Sequence, residues 1–507
     1  MEHRLSRRKF LRTTGGAAAA LAAGQAGVGK LLADEEINVL FLMTDQQHHL
    51  ALGAAGNPLI HTPNLDRLAG QGALFTNAIC ATPFCSPTRA ALITGQCPHR
   101  LGIEANVRAR EKGARDEWVS TENLLFDAGY TTHHRGKWHL GPKTDLRCYR
   151  EDVDPAPNYG QYLRDNVPFS SIKGHTELWG RPVRMLPSLV KAREAWLQMK
   201  NIPKQDLSII GEVLLPPEHM QQSWITDKVL DLLDQHGRER FMITWSVSDP
   251  HAYWVTPEPY YSMYSRDEVP VPESVDNVHE HLKTSAPWRL GDVEGLEGIR
   301  EYIAVYYGMV SLVDWNVGRI LDKLDELGVA DRTLVIFTSD HGDMQGAHGM
   351  IGKSVPAFYE EIARVPLIMR LPGRIPAGKR IRAHANSVDL MPTILDYVGL
   401  PIPQDIDGRS LRPVIEGEKS GRRWRGHCER ALGAKHFGRM IRANRWKYVF
   451  NSPWPNELYD LENDPGEMVN LIEEPKHKAQ ARRLHRELRQ WMAETHDPHL
   501  PEVPEAL

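Results

Sequence analysis

The sequence predicts an α/β protein with a large, mostly parallel sheet flanked by helices, followed by a smaller C-terminal α+β domain with an antiparallel sheet. Three observations predict this fold class. Continuous apolar runs, typical of buried parallel strands, recur along the first 400 residues. Helical patterns separate these runs, as the crossover connections between parallel strands require. Beyond about residue 410 the pattern changes to short strands joined by turns, which is typical of antiparallel pairing.

The alternation begins with the apolar run INVLFLMTDQ (residues 37–46), a predicted buried strand that ends in polar residues. TPNLDRLAGQGALFTNAI (residues 62–79) predicts a helix, a glycine-containing turn and a strand. FCSPTRAALITG (residues 84–95) predicts a helix capped by Ser86, with Pro87 at its first position and Cys85 just outside it. LLFDAGYTTHHRGKWHLG (residues 124–141) predicts the end of a helix, a turn and another strand.

The same alternation resumes after a stretch rich in Pro, Gly and charged residues. Further strands are predicted in residues 240–251, 333–343 and 365–373, and further helices in residues 224–237, 306–328 and 388–400. The C-terminal part is predicted to contain antiparallel strands and turns in residues 440–450 and 456–467, followed by a charged helix in residues 476–494.

The chain divides into three predicted parts. Residues 1–33 resemble a twin-arginine export signal, in which Arg7 and Arg8 precede a weakly apolar Ala/Gly-rich run that is too short for a stable membrane span. Residues 34–409 form the predicted main α/β domain, with insertions at about 145–217 and 253–296, and residues 410–507 the C-terminal α+β subdomain. The signal predicts a periplasmic or extracellular location and the twin-arginine export machinery as a partner.

Charge and cysteine content narrow the classes of function. The formal net charge is −4, and because residues 1–33 carry six Lys or Arg and one acidic residue, the chain without them carries about −9. Such a surface gives no reason to expect binding to nucleic acid or to an anionic membrane. The five cysteines show no zinc-like spacing: Cys80, Cys85, Cys97, Cys148 and Cys428. An odd number leaves at least one of them unpaired in an exported protein, and Cys85 is the candidate.

Four predicted strands end in polar clusters, and in an open α/β sheet the ligand crevice lies beyond the carboxyl ends of the strands. The clusters are Asp45 with Gln46; Arg135, Lys137 and His139; Asp249 with His251; and Asp340 with His341. One such cluster would be read as a helix cap or as solvated loop residues. Four clusters at equivalent places, together with Cys85 and Arg89 at a strand-to-helix turn, favour a shared site.

These clusters divide by charge. One set offers three oxygen-bearing side chains and one imidazole, which suits a divalent cation such as Ca²⁺ or Mn²⁺: Asp45, Gln46, Asp340 and His341. The other set is basic: Arg89, Lys137, His139, His251 and Lys353. A metal beside five potential cations is unfavourable unless a multiply charged oxyanion lies between them, so the two sets together predict a sulfate or phosphate ester as substrate.

Four roles are open for Cys85: a nucleophile as it stands, a metal ligand, half of a disulfide, or the precursor of another group. A thiolate phosphatase is disfavoured, because only three residues, including Pro87, separate Cys85 from Arg89 and leave too few backbone donors to hold a phosphate. Zinc binding by Cys85 with His133, His134 or His139 is disfavoured, because no second thiolate lies at a useful spacing.

The stretch CSPTRAALITG resembles the signature of the sulfatase family, C-x-P-x-R followed by an apolar helix and Thr-Gly. GKWHLG, SDPH, SDHGD and GKSVPAFYEEIARVPLIMRLPG resemble the other blocks of the family in the family order, and LYDLENDPGEMVNL is similar to its C-terminal ending. The resemblance covers nearly all of the chain from Asn38 to about Leu471. It implies an alkaline-phosphatase-like fold and a sulfuric ester hydrolase that releases inorganic sulfate and an alcohol.

The resemblance also implies the cofactors and the role of each site residue. Cys85 would be oxidised by a dedicated maturation enzyme to Cα-formylglycine, whose hydrate is the nucleophile. A divalent metal, usually calcium, with Mn²⁺ or Mg²⁺ as further candidates, would be held by Asp45, Gln46, Asp340 and His341. Arg89 would stabilise the hydrate near the metal, and Lys137 and His139 would contact the hydrate and the sulfate oxygens. His251 and Lys353 would bind sulfate and assist the leaving group, with His251 as the proton donor.

The metal set departs from the commonest pattern of the family. Many sulfatases carry two Asp after the first strand and Asp-Asn after the later one, where this chain has Asp45-Gln46 and Asp340-His341. The combination resembles a branch that contains choline sulfatases, phosphonate monoester hydrolases and some carbohydrate sulfatases. A phosphonate monoester or phosphate diester hydrolase using the same residues is therefore the main alternative, and an exported carbohydrate-binding protein with an inactive site is another.

Export favours an extracellular nutrient or polymer fragment, so a sulfated saccharide is the expected substrate, with aryl and choline sulfates as further candidates. The two insertions and the C-terminal subdomain are expected to set specificity. Three side chains in the insertions are candidate substrate contacts: Trp254, Trp179 and Arg181.

Overall fold

The computed structural model describes residues 36–107, 113, 118–141, 156–167, 176–178, 181–184, 210–279, 295–353, 357–417, 424–431 and 436–507. The strands in these ranges are β1 (Asn38–Asp45), β2 (Ala73–Ile79), β3 (Thr131–Gly136), β4 (Thr176–Leu178), β5 (Arg181–Arg184), β6 (Ile210–Val213), β7 (Phe241–Pro250), β8 (Trp254–Thr256), β9 (Thr333–Ser339), β10 (Arg364–Arg370), β11 (Lys379–Asn386), β12 (Gly426–Ala431), β13 (Phe437–Ala443), β14 (Trp446–Ser452) and β15 (Glu457–Asp460). The α-helices are α1 (Pro63–Gly70), α2 (Cys85–Thr94), α3 (Pro98–Leu101), α4 (Thr121–Asp127), α5 (Ala156–Asn166), α6 (Gln221–His236), α7 (Gly295–Glu326), α8 (Glu360–Ala363), α9 (Leu390–Tyr397), α10 (Arg412–Glu416) and α11 (Lys478–Glu494).

The main sheet has seven strands in the order β11-β2-β10-β9-β1-β7-β3. β1 is parallel to β7 and β9, β3 is parallel to β7, and β11 is parallel to β2. β10 is antiparallel to both of its neighbours, β2 and β9. The prediction of a large, mostly parallel sheet is therefore confirmed. The reversed direction of β10 could not be predicted, because an apolar run has the same composition whichever way its strand is paired.

Side chains of β1 alternate between the two faces of the main sheet, and both faces are buried. Val39 and Phe41 pack on one face with residues of α4 and α9. Leu40 and Leu42 pack on the other face with residues of α1, α6 and α7. A strand that is covered on both sides has no solvent-facing positions, which explains the unbroken apolar run in the sequence.

The carboxyl ends of β1 and β9 are joined by hydrogen bonds at the edge of the sheet. The backbone N–H of Asp340 donates to the carbonyl oxygen of Thr44 at 3.3 Å. The backbone N–H of Gln47 donates to Oγ of Ser339 at 2.8 Å. These contacts place the residues that follow the two strands beside each other, although almost 300 residues separate them along the chain.

A second, small sheet contains β4, β5, β6 and β8 in that order. β4, β5 and β6 belong to the stretch predicted as the first insertion, and β8 belongs to the second. Trp254 of β8 packs edge-on against Tyr302 of α7, with ring centroids 4.8 Å apart. The two insertions thus meet in one small sheet that packs on α7. This sheet was not predicted from the sequence.

The C-terminal sheet contains β12, β13, β14 and β15 in that order, and every pair is antiparallel. One face of this sheet is covered by α11, whose buried residues include Leu484 and Leu488. The predicted C-terminal α+β region is confirmed. Ile37–Leu507 form one compact unit, so the domain boundary near residue 410 stays a prediction.

Some sequence predictions fall outside the described residues, among them the export signal in residues 1–33 and Cys148. Cys80, Cys85, Cys97 and Cys428, the cysteines that are described, are buried as free thiols. Among the described helices there is none with the length and apolar character that a membrane span requires. Helix α7 begins at Gly295, earlier than the predicted start at Tyr306, because its buried face already includes Ile299 and Tyr302.

Candidate active site

Cys85 is the first residue of α2, whose N-terminus lies at the carboxyl edge of the main sheet. The prediction that Ser86 caps this helix with Cys85 outside it is wrong. Phe84 is the N-cap, and the Ser86 hydroxyl instead donates to the carbonyl oxygen of His139 at 2.6 Å and accepts from the N–H of Val107 at 3.0 Å. Ser86 therefore ties the start of the helix to the segment after β3.

The Sγ atom of Cys85 is fully buried at the centre of the predicted site. Nζ of Lys353 donates to it at 2.9 Å and Nζ of Lys137 at 3.9 Å. Nε2 of His341 lies 3.3 Å away, and Oδ1 of Asp45 lies 3.7 Å away. The tertiary structure therefore brings residues from several strand ends and from the segment after β9 around a single atom.

Arg89 holds the two acidic side chains of the site. Its Nε donates to Oδ2 of Asp340 at 2.9 Å, and its Nη2 donates to Oδ2 of Asp45 at 3.1 Å. Its Nη1 donates to the carbonyl oxygen of Lys137 at 2.7 Å and to Oγ of Ser246 at 2.9 Å. Because Arg89 follows Cys85 by one helical turn, the same helix supplies the central residue and the clamp on the carboxylates.

The electrostatic balance of the site is visible in the pKa values of Asp45 and Cys85. Burial and Cys85 raise the pKa of Asp45, but Lys137, His251 and Arg89 outweigh them and hold it below its usual range. Burial raises the pKa of the Cys85 thiol, but Lys137, Lys353 and His341 outweigh burial and hold it well below its usual range. The site thus strongly favours negative charge at this position.

The donor set fits a divalent cation. Ligand atoms of Asp45, Cys85, Asp340 and His341 all lie within 4.8 Å of one another and are buried. Gln46 follows β1 with a positive φ of 66°, and its backbone N–H donates to Oδ1 of Asp340 at 3.1 Å. Two carboxylates and an imidazole in this space, with Gln46 next to Asp45 in the chain, suit a divalent cation such as calcium or manganese.

Basic side chains also lie around Cys85 and contact residues of the metal set. Nζ of Lys353 also lies 3.3 Å from Nε2 of His251 and 3.3 Å from Nε2 of His341. Nδ1 of His251 lies 3.1 Å from the carbonyl oxygen of Ala252, which leaves Nε2 toward the site. Nδ1 of His139 is buried and has no hydrogen-bond partner among the described residues, as expected for a group that binds an anion.

The three predicted substrate contacts receive no support from the structure. Trp254 is only 2% exposed and packs against Tyr302, so its side chain belongs to the core and its contact with substrate stays a prediction. Trp179 lies outside the described residues. Only the backbone of Arg181, in β5, is described.

Three residues around Gln46 could not be assigned to the site from the sequence. Nε2 of Gln46 donates to Oδ2 of Asp343 at 2.7 Å, and the hydroxyl of Tyr302 donates to the other carboxylate oxygen at 2.6 Å. The hydroxyl of Tyr306 donates to the carbonyl oxygen of Gln46 at 2.6 Å. Asp343 was visible as the last residue of SDHGD, whereas the two tyrosines were indistinguishable from core residues of a helix.

Comparison with known proteins agrees with this geometry. The family model described as Sulfatase matches residues 37–400, which is well over half of the chain. The chain belongs to the sulfatase family. A second model, described as N-sulphoglucosamine sulphohydrolase, C-terminal, matches residues 346–494.

Full-length relatives support the same assignment. An arylsulfatase of Clostridium perfringens is 30% identical over 87% of this chain and 91% of its own. An N-acetylglucosamine-6-O-sulfatase of Bacteroides thetaiotaomicron is 30% identical over 90% of this chain and 86% of its own. The phosphonate monoester hydrolase of Agrobacterium radiobacter has a similar structure, with a TM-score of 0.73, 25% identity, and coverage of 90% of this chain and 96% of its own. This sulfatase therefore has the alkaline-phosphatase-like fold and is a sulfuric ester hydrolase.

Proposed function

We propose that this sulfatase is an exported, metal-dependent enzyme that hydrolyses the sulfate ester of a saccharide by way of a formylglycine derived from Cys85. The observation that carries the proposal is the convergence on Cys85 of Lys353, Lys137 and His341 within 3.9 Å. A structural cysteine would be surrounded by apolar side chains, whereas this one lies among groups that stabilise an anion.

Formylglycine fits the position of Cys85 because it is both buried and surrounded by groups that stabilise negative charge. When formed, the hydrated aldehyde supplies one hydroxyl as nucleophile and a second hydroxyl that allows sulfate to be released. Serine or cysteine at the same place would form an ester but would lack this route for release. The residue that is converted to formylglycine, Cys85, is thus the one at the centre of the site.

Asp45, Gln46, Asp340 and His341 would hold the divalent metal, most readily Ca²⁺. When bound, the metal lowers the pKa of a hydroxyl coordinated to it and neutralises charge on the sulfate. Arg89 has a separate task, because its guanidinium bridges Asp45 and Asp340, helps to hold the pKa of Asp45 below its usual range and opposes the rise that burial causes in the pKa of Asp340. A guanidinium that is shared between two carboxylates is rigid, which reduces reorganisation when substrate binds.

The basic residues bind the sulfate and stabilise it during transfer. Lys137 and His139 face Cys85 from the segment after β3, and Lys353 faces it from the segment after β9. In a buried site such charges act at low dielectric and strongly stabilise the extra charge of the transition state. These residues therefore bind the ester most tightly when its sulfur is under attack.

In its protonated, imidazolium form, His251 donates from Nε2 the proton that the leaving alcohol needs, while its Nδ1–H stays on the carbonyl oxygen of Ala252. Contact of its Nδ1 with the carbonyl oxygen of Ala252 directs Nε2 toward Lys353 and the space above Cys85. A sugar hydroxyl is a poor leaving group, so proton donation contributes about 10²–10⁴-fold to its departure.

A saccharide substrate is supported by the N-acetylglucosamine-6-O-sulfatase relative and by the match of the C-terminal region to the N-sulphoglucosamine sulphohydrolase model. Export is supported by the paired Arg7 and Arg8 before an Ala/Gly-rich run. An exported enzyme meets sulfated polymers and their fragments outside the cytoplasm, which accords with the saccharide.

The second candidate function is hydrolysis of a phosphonate monoester or phosphate diester. Two observations favour it: the Gln46 and His341 ligands, and the structural similarity to a phosphonate monoester hydrolase. Esters of sulfur and of phosphorus both present tetrahedral oxyanions to the basic residues, so the described site accommodates either.

A substrate panel tests the proposal. The enzyme is produced together with a formylglycine-generating maturation enzyme, and kcat/KM is measured on sulfated sugars, aryl sulfates, choline sulfate and an aryl phosphonate ester. We expect a sulfated sugar to be the best substrate, and Cys85→Ala to be inactive on every ester. A clear preference for the phosphonate would overturn the proposal in favour of the second candidate.

The mass of the peptide that contains Cys85 is measured on the same preparation. We expect an aldehyde at this position. Activity of preparations in which Cys85 remains an unmodified thiol would show that formylglycine is not the nucleophile.

A further inference from the structure

Gln46 is the metal-site residue whose side chain has two chemically different ends. An amide offers an oxygen that can bind a cation and an NH₂ group that repels one. The site therefore works only if the oxygen faces the metal. This requirement does not exist for a carboxylate, whose two ends are equivalent.

Asp343 decides which end of the amide is available. Nε2 of Gln46 donates to Oδ2 of Asp343 at 2.7 Å, while Oδ1 of Asp343 accepts from the hydroxyl of Tyr302 at 2.6 Å and from the N–H of Gln345 at 2.8 Å. Both carboxylate oxygens of Asp343 accept hydrogen bonds from the groups around them, and the group that faces Oδ2 is the NH₂ of Gln46. All of these residues except Gln345 are at most 2% exposed, so the hydrogen bonds among them are shielded from bulk solvent.

The backbone of Gln46 is held as firmly as its side chain. Its N–H donates to Asp340 at 3.1 Å, and its carbonyl oxygen accepts from the hydroxyl of Tyr306 at 2.6 Å. Tyr302 and Tyr306 lie one turn apart on α7, so the same helix face holds the backbone directly and the side chain through Asp343. With the backbone fixed, only the side-chain torsions can still turn the amide, and the hydrogen bond to Asp343 restrains them.

We propose that Asp343 is a positioning residue that fixes the orientation of the Gln46 amide, so that its oxygen, and not its nitrogen, is presented to the metal. The inference rests on the proposed metal-dependent function. It also assigns a reason to Gln46 itself: with Asp343 in this place, a second carboxylate at position 46 would face it across 2.7 Å, whereas an amide donates to it.

Asp343→Asn tests this relationship with almost no change in shape. Oδ1 of Asp343 receives two donors, one of them a backbone N–H that cannot turn away, so the amide oxygen of the variant should stay on that side. The NH₂ group of the variant side chain would then face Gln46 and force its amide to turn, which presents NH₂ to the metal. We expect Ca²⁺ affinity, measured by titration calorimetry on metal-free protein, to fall about 10–100-fold.

The reciprocal variant shows whether the effect passes through Gln46. In Gln46→Glu with Asp343→Asn, a carboxylate accepts from the NH₂ of the new asparagine and keeps one oxygen for the metal. We therefore expect Gln46→Glu to improve Ca²⁺ affinity at least about tenfold more in the Asp343→Asn protein than in the wild type. An equal effect of Gln46→Glu in both proteins, or an affinity of Asp343→Asn within about twofold of wild type, would overturn the inference.

Folding is checked by circular dichroism and thermal unfolding in chelator. If Asp343→Asn does not fold, Tyr302→Phe replaces it, because this change removes one hydroxyl that holds Asp343. Tyr307→Phe is the matched control, because Tyr307 lies on the same helix as Tyr302. The Tyr307 hydroxyl accepts from Nδ2 of Asn57 at 2.9 Å and does not contact Asp343 or Gln46. Equal Ca²⁺ affinity in the two Phe variants would then contradict the inference.

The outcomes separate this inference from the proposed function. A wild-type protein that binds no divalent cation would refute the metal-dependent function, and the inference with it. Wild-type binding that persists unchanged in Asp343→Asn would refute the inference alone.

Discussion

Nζ of Lys353 lies 3.3 Å from Nε2 of His251, and the two residues lie 102 positions apart in the chain. The pair faces Cys85, because the same Nζ donates to Sγ at 2.9 Å. In the proposed function, an anionic ester bound beside this pair has its sulfate next to Lys353 and its ester oxygen within reach of Nε2 of His251.

The first prediction concerns His251→Ala. Because a sugar or alkyl alcohol needs a proton to leave, we expect kcat on its sulfate ester to fall about 10²–10⁴-fold. An aryl sulfate with an acidic phenol needs no proton, so its kcat should change far less. Lys137→Met is the comparison variant, since loss of a sulfate-binding cation should slow both esters to a similar degree. Equal losses on the two esters in His251→Ala would assign proton donation to another group.

The second prediction concerns the clamp formed by Arg89, which is only 2% exposed between Asp45 and Asp340. Arg89→Ala removes the guanidinium that two buried carboxylates share and leaves Asp340 without its arginine while Asp45 keeps Lys137, so we expect the free energy of unfolding in chelator to fall by about 3–5 kcal/mol. Saturating Ca²⁺ should restore part of the loss, because the metal supplies positive charge to the same carboxylates. Urea unfolding with and without chelator measures both effects.

Arg67→Ala is the matched control for Arg89→Ala. Arg67 pairs with Asp322 at 2.8 Å on the surface, where the side chains are 36% and 66% exposed. We expect Arg67→Ala to change the free energy of unfolding by at most about 1 kcal/mol, whether or not Ca²⁺ is present. If Arg89→Ala were no more destabilising than Arg67→Ala, the ion pairs of Arg89 with Asp45 and Asp340 would not stabilise the folded protein.

The third prediction concerns Gly136, the last residue of β3, which has a φ of +107°. A Cβ atom at this position would lie 1.7 Å from the carbonyl oxygen of Ser246 on β7. Backbone strain alone should lower the free energy of unfolding of Gly136→Ala by about 1–3 kcal/mol. The displaced backbone should also move Lys137 and lower kcat/KM. Gly70→Ala is the control, since its Cβ would meet nothing within 4 Å, and it should stay within about 1 kcal/mol of wild type. A Gly136→Ala protein with unchanged kcat/KM would show that the close approach to β7 does not position Lys137.

The fourth prediction concerns His99, which joins α3 to the C-terminal sheet. Its Nδ1 lies 2.6 Å from Glu429 and its Nε2 lies 2.9 Å from the carbonyl oxygen of Thr495. Burial lowers the pKa of His99, but Glu429, Asp497 and the Thr495 carbonyl outweigh it and raise the pKa to about 9. Since the folded pKa lies above the ordinary value of 6.5, the stabilisation is complete below pH 6.5 and is lost as the pH rises toward 9.

Urea unfolding of wild type and His99→Gln checks this pH dependence. We expect the difference in the free energy of unfolding between wild type and the variant to be about 3 kcal/mol larger at about pH 6 than at about pH 9.5. His236→Gln is the control, because His236 lies 3.3 Å from Glu239 with both side chains partly exposed, and its effect should be small at both pH values. A difference between wild type and His99→Gln that does not change with pH would mean that folding does not raise the pKa of His99.

The sequence predicted much of the fold because the decisive signals are local. The unbroken apolar run of β1 indicated a strand covered on both faces, and the polar residues after it indicated a site at the sheet edge. The C-x-P-x-R motif and its companion blocks identified the family from residues that are near neighbours in the chain. Each of these features depends on a spacing of a few residues, which can be read without knowing how the strands pair.

The remaining features depend on contacts between residues far apart in the chain, which local patterns do not encode. The reversed β10, the start of α2 at Cys85 and the burial of Trp254 are set by pairing and packing partners. The same is true of the Gln46 amide, whose orientation is decided by an acceptor 297 residues away. By itself the sequence predicted the side chains that lie around Cys85 and the chemistry they favour, but not the residues that hold Gln46. Only the tertiary structure decided which atom of each side chain faces the centre, because hydrogen-bond direction is settled by partners that folding brings together.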